Sequence, residues 1–389
     1  MAGDSPFPKT ADAVVIGGGV MGASTAYHLA RMNCRRVVLL ERREHFGMEA
    51  TGKCAGGIRH QFDSEINIRM SLLSLPMLDR FEEETGQPAG VKKCGYLFVL
   101  TDERDIGEFR RQAALQNSLG VRTEWLDGDE LRRRLPLFAF PDALAATWGP
   151  DDGLADPASV VQGYIATAHR RGAVCLTDVE AMGVRVEAGR VRGVSTTQGF
   201  ISSPVVVNAA GSWAGQVGRM AGIDIPVSPV KRQIAVTTPI PGLPGDLPFV
   251  IDFSRSLYFH REGPAVLTGM SNAAEPAGFD QSVDDDWEAV HLEAACRRLP
   301  LLENAGIASR WAGLYENTPD AHPILGRAEE IEGFHVITGF SGHGFMHGPA
   351  CGLLLAEEIL EGRARTLDIA ELRLSRFRKG TPSREYNVV

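Results

Sequence analysis

Three glycines spaced Gly17-x-Gly19-x-x-Gly22, with Glu41 about twenty residues further on, can hold a dinucleotide. Gly17 permits a tight turn, Gly19 lets the backbone approach a pyrophosphate, and Gly22 lets a helix pack closely on a strand. A helix beginning at Val20 and Met21 would offer free N–H groups and the positive end of its dipole to the phosphates. Glu41 can accept from a ribose hydroxyl, and an acid there disfavours a 2′-phosphate. The neighbouring Arg42 and Arg43 argue the other way. The fingerprint alone does not separate NAD from FAD, because both carry ADP.

The elements that must place these residues are legible around them. Residues 11–42 read as a β-α-β unit, with apolar runs on either side of the glycine turn. Residues 67–84 read as a helix ending before Gly86, 91–100 as a strand and 103–119 as a polar helix. A helix over 159–171 leads into a strand at 173–176 that returns to the first sheet. Residues 184–192 and 194–201 read as a hairpin turning at Gly189. Residues 205–213 read as a second buried strand running into a turn of small residues, Ala210 and Gly211, where a ligand can come close. Residues 226–238 and 256–270 are strand-rich, and 284–298 read as a helix. Residues 333–346 form a third strand–glycine–helix turn, continued by a helix over 348–362. A simple nicotinamide enzyme has no need of this last turn. A flavin does, because a helix N-terminus aimed at its pyrimidine carbonyl stabilises the anionic reduced ring.

The chain has 389 residues, 44% hydrophobic and 23% charged, as a globular protein of about two domains should. A net charge of −9 without a basic stripe argues against a nucleic-acid partner, and Arg132 to Arg134 read as a solvated helix face. No apolar run approaches the roughly 20 residues of a membrane span. The N-terminus lacks a signal-peptide pattern, and the six cysteines are scattered. The expectation is a cytoplasmic protein with reduced thiols and no membrane partner. Residues 375–385 read as a solvated end.

Four segments, 14–42, 51–62, 311–326 and 339–349, stand in an order that together resembles the D-amino acid oxidase superfamily of flavoproteins. The branch is that of sarcosine oxidase, glycine oxidase and the β-type subunit of dye-linked proline dehydrogenase. The resemblance implies an α/β fold: a Rossmann-type FAD-binding domain of segments 10–90, 155–225 and 320–375, and an α+β substrate domain on a mixed sheet, 91–154 and 226–319. It implies FAD, held non-covalently, because Gly313 stands where monomeric sarcosine oxidases carry their linking cysteine.

Besides Gly17, Gly19, Val20, Met21, Gly22, Glu41 and Arg42, the implied cofactor contacts come from the loop of Thr51, Gly52, Lys53, Gly57 and Ile58. Val179, Ala210, Gly211 and Trp213 would add to these, with Gly313 and the turn Gly342, His343, Gly344, Phe345 and Met346 completing the set. The implied reaction is oxidation of a C–N bond beside a carboxylate, an N-alkylglycine giving glyoxylate and an amine. Hydride passes to flavin N5, the imine hydrolyses, and oxygen is reduced to hydrogen peroxide. Arg59 would grip the substrate carboxylate, since a planar guanidinium offers parallel hydrogen bonds. Tyr258 and Tyr315 would line the pocket, His343 would set polarity near the ring, and His60 would flank the same centre.

Two departures matter. Met346 replaces a lysine that assists Arg59 in the family, which makes the pocket more apolar. Leu267 falls where the oxygen-activating lysine aligns, so a dehydrogenase using another acceptor or a partner subunit is the alternative. An assembly factor with little turnover is a third reading, and a homo-oligomer stays open.

Overall fold

The computed structural model describes residues 7–378, 380 and 383–388. The strand Ala13–Ile16 is buried at every position because both faces of its sheet are covered. It sits between Val37–Leu40 and Val206–Asn208, parallel to both. The six-stranded sheet runs Ile324–Arg327, Phe334–Thr338, Val206–Asn208, Ala13–Ile16, Val37–Leu40, Val174–Leu176, and only its first pair is antiparallel. Helices Val20–Arg31, Pro157–Arg170 and Gly344–Glu361 pack into one core with Val15, Leu39 and Val207. The other face, through Val14, Val38 and Val206, packs on antiparallel strands and the helix Ala214–Met220.

Those antiparallel strands correct the expected hairpin. There are three, Ala181–Glu187, Arg190–Thr196 and Gly199–Ser202. Ala188 and Gly189 both take positive φ (49° and 73°) and make a two-residue turn, so the first strand ends before Gly189 instead of running through it. The helix expected over 67–84 is divided at Arg80 into Glu65–Asp79 and Phe81–Thr85, and Pro76 sits inside the first, leaving the Leu72 carbonyl without its helical donor. The strand expected from 91 is regular only over Tyr96–Leu100, after Gly95 at φ 84°.

The second large sheet has eight strands, in the order Ile307–Asn317, Ser228–Thr237, Ala265–Met270, Leu257–Glu262, Phe249–Asp252, Tyr96–Leu100, Ala145–Gly149, Glu124–Asp127. It is mixed: Phe249–Asp252 and Tyr96–Leu100 pair in parallel, the rest antiparallel. Side chains alternate along its strands. Leu97, Val99, Val250 and Phe259 face the helix Asp285–Arg298, while Tyr96, Phe98, Phe249, Ile251 and Tyr258 share the opposite face. That opposite face carries the candidate site. The α/β architecture with a mixed second sheet is the one expected.

Arg132, Arg133 and Arg134 lie on the helix Gly128–Arg134 in exposed ion pairs, as expected of a solvated face. Residues 375–385 are a correction. Arg376 donates to Asp320 and Glu385 is 1% exposed, so this part of the chain is built into the protein where it is described. Residues 379, 381 and 382 lie outside the described set. Among the described residues no helix is long and apolar enough to cross a membrane, and no cluster of His, Cys, Asp or Glu could hold a metal ion.

Candidate functional site

The glycine turn is as close-packed as its sequence requires. A Cβ on Gly17 (φ 111°) would lie 2.3 Å from the Ala209 carbonyl oxygen, and one on Gly22 would lie 1.8 Å from that of Gly17. The Glu41 carboxylate accepts from the Gly18 N–H at 2.9 Å and from the Arg43 N–H at 2.8 Å. It therefore braces the turn, and each oxygen keeps a lone pair for a ribose hydroxyl. Thr51 Oγ1 accepts from the Val20 N–H at 3.1 Å, which ties the 51–57 loop to the start of the helix.

A long cleft begins here. Glu41, Val179 and Arg42 line one part, and the Arg42 guanidinium lies 3.9 Å over the ring of Trp213. Ala210 and Gly211 form its middle wall, and Lys53, Gly313, Tyr315, Gly342, Gly344 and Phe345 line the part against the eight-stranded sheet. Gly17, Gly19, Val20 and Met21 complete the lining. A backbone cradle that side chains would fill, a helix N-terminus and a strand-end acid fit the ADP half of FAD. The N-terminus of Gly344–Glu361 fits the flavin half. The residues present therefore match this cofactor.

A smaller cavity of about 70 Å³ adjoins the cleft, and Cys54, Ala55, Tyr258, Tyr315, Gly342 and Phe345 line both. Its own walls are Gly57, Arg59, Tyr96, Phe249, Ile251, His343, Met346 and Val388. The Tyr96 and Phe249 rings stack at 4.2 Å, and Tyr258 follows 5.8 Å beyond Phe249. Burial raises the pKa values of Tyr96, Tyr258 and Tyr315, so all three phenols keep their protons.

Arg59 is 5% exposed. It donates to the Gln61 carbonyl and, at 2.6 Å, to the Asn387 carbonyl, and it lies 3.9 Å over the Phe62 ring. Among the described residues no carboxylate pairs with it. Burial lowers its pKa, but an arginine so far from its titration range stays charged.

His343 Nε2 meets the Ala321 carbonyl at 3.1 Å and must donate there. Burial first, then the Arg59 charge, lowers its pKa to about 4, so the ring is neutral and Nδ1 is an acceptor. His347 Nδ1, 3.1 Å away, must supply that hydrogen bond. Its Nε2 then faces Ser71 Oγ at 3.0 Å. Both nitrogens of His343 are engaged, which makes it a fixed dipole at the cavity wall.

The sequence-derived residues do not all converge. His60 Nδ1 lies 2.6 Å from Asp152 Oδ1, and His60 lines neither cavity. Gly22, Gly52 and Ile58 also line neither. Gly22 seats the helix, Gly52 lies against the Gly47 carbonyl, where a Cβ would come within 2.3 Å, and Ile58 joins the core. Gly57, His343 and Met346 face the smaller cavity instead of the cleft, and Lys53 Nζ donates to Gln281.

Sequence reasoning passed over Tyr96 and Phe249, whose alternation with core residues was the available signal. It also passed over Arg232, which lines the cleft with its Nε unpartnered among the described residues and lies 5.2 Å from the Tyr315 ring. Nothing in the sequence pointed to Asn387 and Val388.

The chain is similar to mitochondrial sarcosine dehydrogenase of Homo sapiens, 35% identical over 92% of this chain and 40% of that protein. It is similar to mitochondrial dimethylglycine dehydrogenase of Mus musculus, 32% identical over 95% of this chain and 44% of that protein. It thus spans less than half the length of these relatives. The crystal structure of L-proline dehydrogenase from P. horikoshii superposes with a TM-score of 0.90 at 34% identity, over 96% of this chain and 99% of that one. The family model for FAD dependent oxidoreductases, DAO, matches residues 12–358. With its glycine turn, its strand-end acid and the Gly344–Glu361 helix starting at the cleft, the chain belongs to the DAO family of FAD-dependent oxidoreductases.

Proposed function

We propose that this protein oxidises the C–N bond of a small N-substituted amino acid, such as an N-methylglycine, and passes the electrons to an acceptor other than oxygen. The observation that carries the reading is the cavity adjoining the FAD cleft, with a buried arginine on one wall that has no carboxylate partner among the described residues, and aromatic rings on the others.

FAD, when bound, supplies the two-electron acceptor. The segments 10–90, 155–225 and 320–375 would form the unit that holds it. The Arg59 N–H groups left over by the Gln61 and Asn387 carbonyls receive the substrate carboxylate. Tyr96, Phe249, Tyr258 and Tyr315 then surround the amine with π faces, which attract an alkylated ammonium and accommodate its methyl groups. Met346, 5% exposed, adds an apolar wall. His343 orients and adds no charge beside Arg59. Placing donor and acceptor in one dry enclosure is the main contribution these residues make to rate.

Two observations support an acceptor other than oxygen. Leu267 is 3% exposed in an apolar cluster with Tyr96, Phe98 and Tyr258, so no cation stands at that position. The relatives of highest identity named above are dehydrogenases.

The test is anaerobic mixing of the flavin-loaded protein with N-methylglycine, N,N-dimethylglycine, proline and glycine. Bleaching of the oxidised flavin band by one of them is expected. Slow colour return in air and fast return with a dye acceptor mark a dehydrogenase, and fast return in air marks the oxidase reading. A loaded protein that none of the four bleaches sinks the proposal.

A further inference from the structure

The segment 383–388 enters the site from a distant part of the chain. The Glu385 carboxylate accepts from the N–H groups of Asp63 (2.8 Å) and Ser64 (3.2 Å), from Ser64 Oγ (2.7 Å) and from Asn67 Nδ2 (2.8 Å). It thereby caps the helix Glu65–Asp79, whose own N-cap, Ser64, makes no capping bond. Burial pushes its pKa up, but the Asp63 N–H and the Ser64 and Asn67 side chains outweigh that and hold it below the usual carboxylate range. The next residue, Tyr386, donates to Asp105 at 2.6 Å and stacks on Phe253 at 5.5 Å. The segment is thus pinned at two successive residues. Just beyond the pins, Asn387 is fully buried, its N–H returns to Glu385 at 3.3 Å and its side-chain amide donates to the Gln61 carbonyl at 3.3 Å. Its own carbonyl reaches Arg59, and Val388 lines the cavity.

Arg59 is therefore held at two N–H groups, one by its own loop through Gln61 and one by this segment through Asn387, with Phe62 under its plane. A guanidinium fixed in this way has lost its rotamer freedom before a ligand arrives. We propose that Glu385 is a positioning residue for Arg59: it anchors the 385–388 segment so that the Asn387 carbonyl orients the guanidinium for a substrate carboxylate, while Val388 closes the cavity wall. This rests on the reading of Arg59 as the carboxylate-binding residue.

The experiment compares Glu385→Gln, Glu385→Asp and Tyr386→Phe with the unsubstituted, flavin-loaded protein. Acetate binding is followed by the perturbation of flavin absorbance, alongside steady-state kinetics with N-methylglycine. Glu385→Gln should raise the Kd for acetate and the KM about fivefold or more, the scale of one ordinary hydrogen bond, with the change falling on KM and not on kcat. Glu385→Asp should recover part of the loss, and Tyr386→Phe should move acetate binding in the same direction by less. A Glu385→Gln protein that keeps its flavin and binds acetate as tightly as the original overturns the proposal. If Glu385→Gln does not fold, unchanged acetate affinity in Tyr386→Phe overturns it instead. Arg59→Lys separates the two levels. Undiminished acetate binding in Arg59→Lys removes the underlying reading. Weakened binding there with none in Glu385→Gln removes only the role of Glu385.

Discussion

The Arg42 guanidinium lies 3.9 Å over the indole of Trp213, so the loop after the acid-bearing strand and the second strand–glycine–helix turn meet across the cofactor cleft. Trp213→Ala removes that contact and leaves the glycine turn intact. A stacked cation of this kind contributes about 1 kcal/mol, so FAD affinity should fall roughly fivefold. Titration of the apoprotein with FAD, read by quenching of flavin fluorescence, measures it. An unchanged Kd would mean that Trp213 is packing alone.

Gly22→Ala should yield protein without flavin. The added methyl would lie 1.8 Å from the Gly17 carbonyl oxygen, which belongs to the turn itself and cannot move without opening the cradle. The absorbance of the purified variant decides it, and a fully yellow protein contradicts the argument.

Arg59→Ala should reduce kcat/KM for a carboxylate substrate by about 2–4 kcal/mol of transition-state stabilisation, the cost of losing charged hydrogen bonds. An amine of the same shape without a carboxylate should lose much less. Equal losses on both substrates would show that the variant had damaged the cavity generally.

Acid should destabilise the fold through its buried histidines. Burial lowers the pKa of His260, His291, His335 and His343 to about 4 and that of His28 to about 3, against 6.5 in an unfolded chain. Between 6.5 and 4 the unfolded state binds more protons than the native one, so stability falls as pH falls through that window. Above 6.5 these groups are neutral in both states and contribute no slope. Melting temperature against pH should show a plateau above about 7 and a decline below it. His291, whose ring meets only Thr268 Oγ1 among the described residues, is the one to change, and His291→Gln should flatten the decline.

The parts that local rules govern were legible. Gly17, Gly19, Gly22 and Glu41 announce a turn, a helix start and an acid by backbone necessity, and the structure assembles them as read. The reversal at Gly189 was legible too, but not the strand bounds around it or the part of Ala188, since a non-glycine residue at positive φ leaves little trace in composition. His60 is expected near the centre because it flanks the flavin-side loop, yet the chain turns its ring toward the buried Asp152. Phe249 was missed because a cavity wall gathered from different strands has no signature within any one of them. Glu385 was missed because its partners lie more than three hundred residues earlier, and a charged run gives no hint of where it will be buried.

The strand order also has a consequence for synthesis. Phe334–Thr338 lies beside Val206–Asn208, which lies beside Ala13–Ile16, so the sheet that cradles the cofactor is gathered from distant parts of the chain. On a ribosome the glycine turn emerges about three hundred residues before the Phe334–Thr338 strand and the Gly344–Glu361 helix that complete its surroundings. Pairings of such long sequence separation are slow to form. A chain that has not yet reached Gly344–Glu361 carries the phosphate loop without the rest of the cleft that surrounds it.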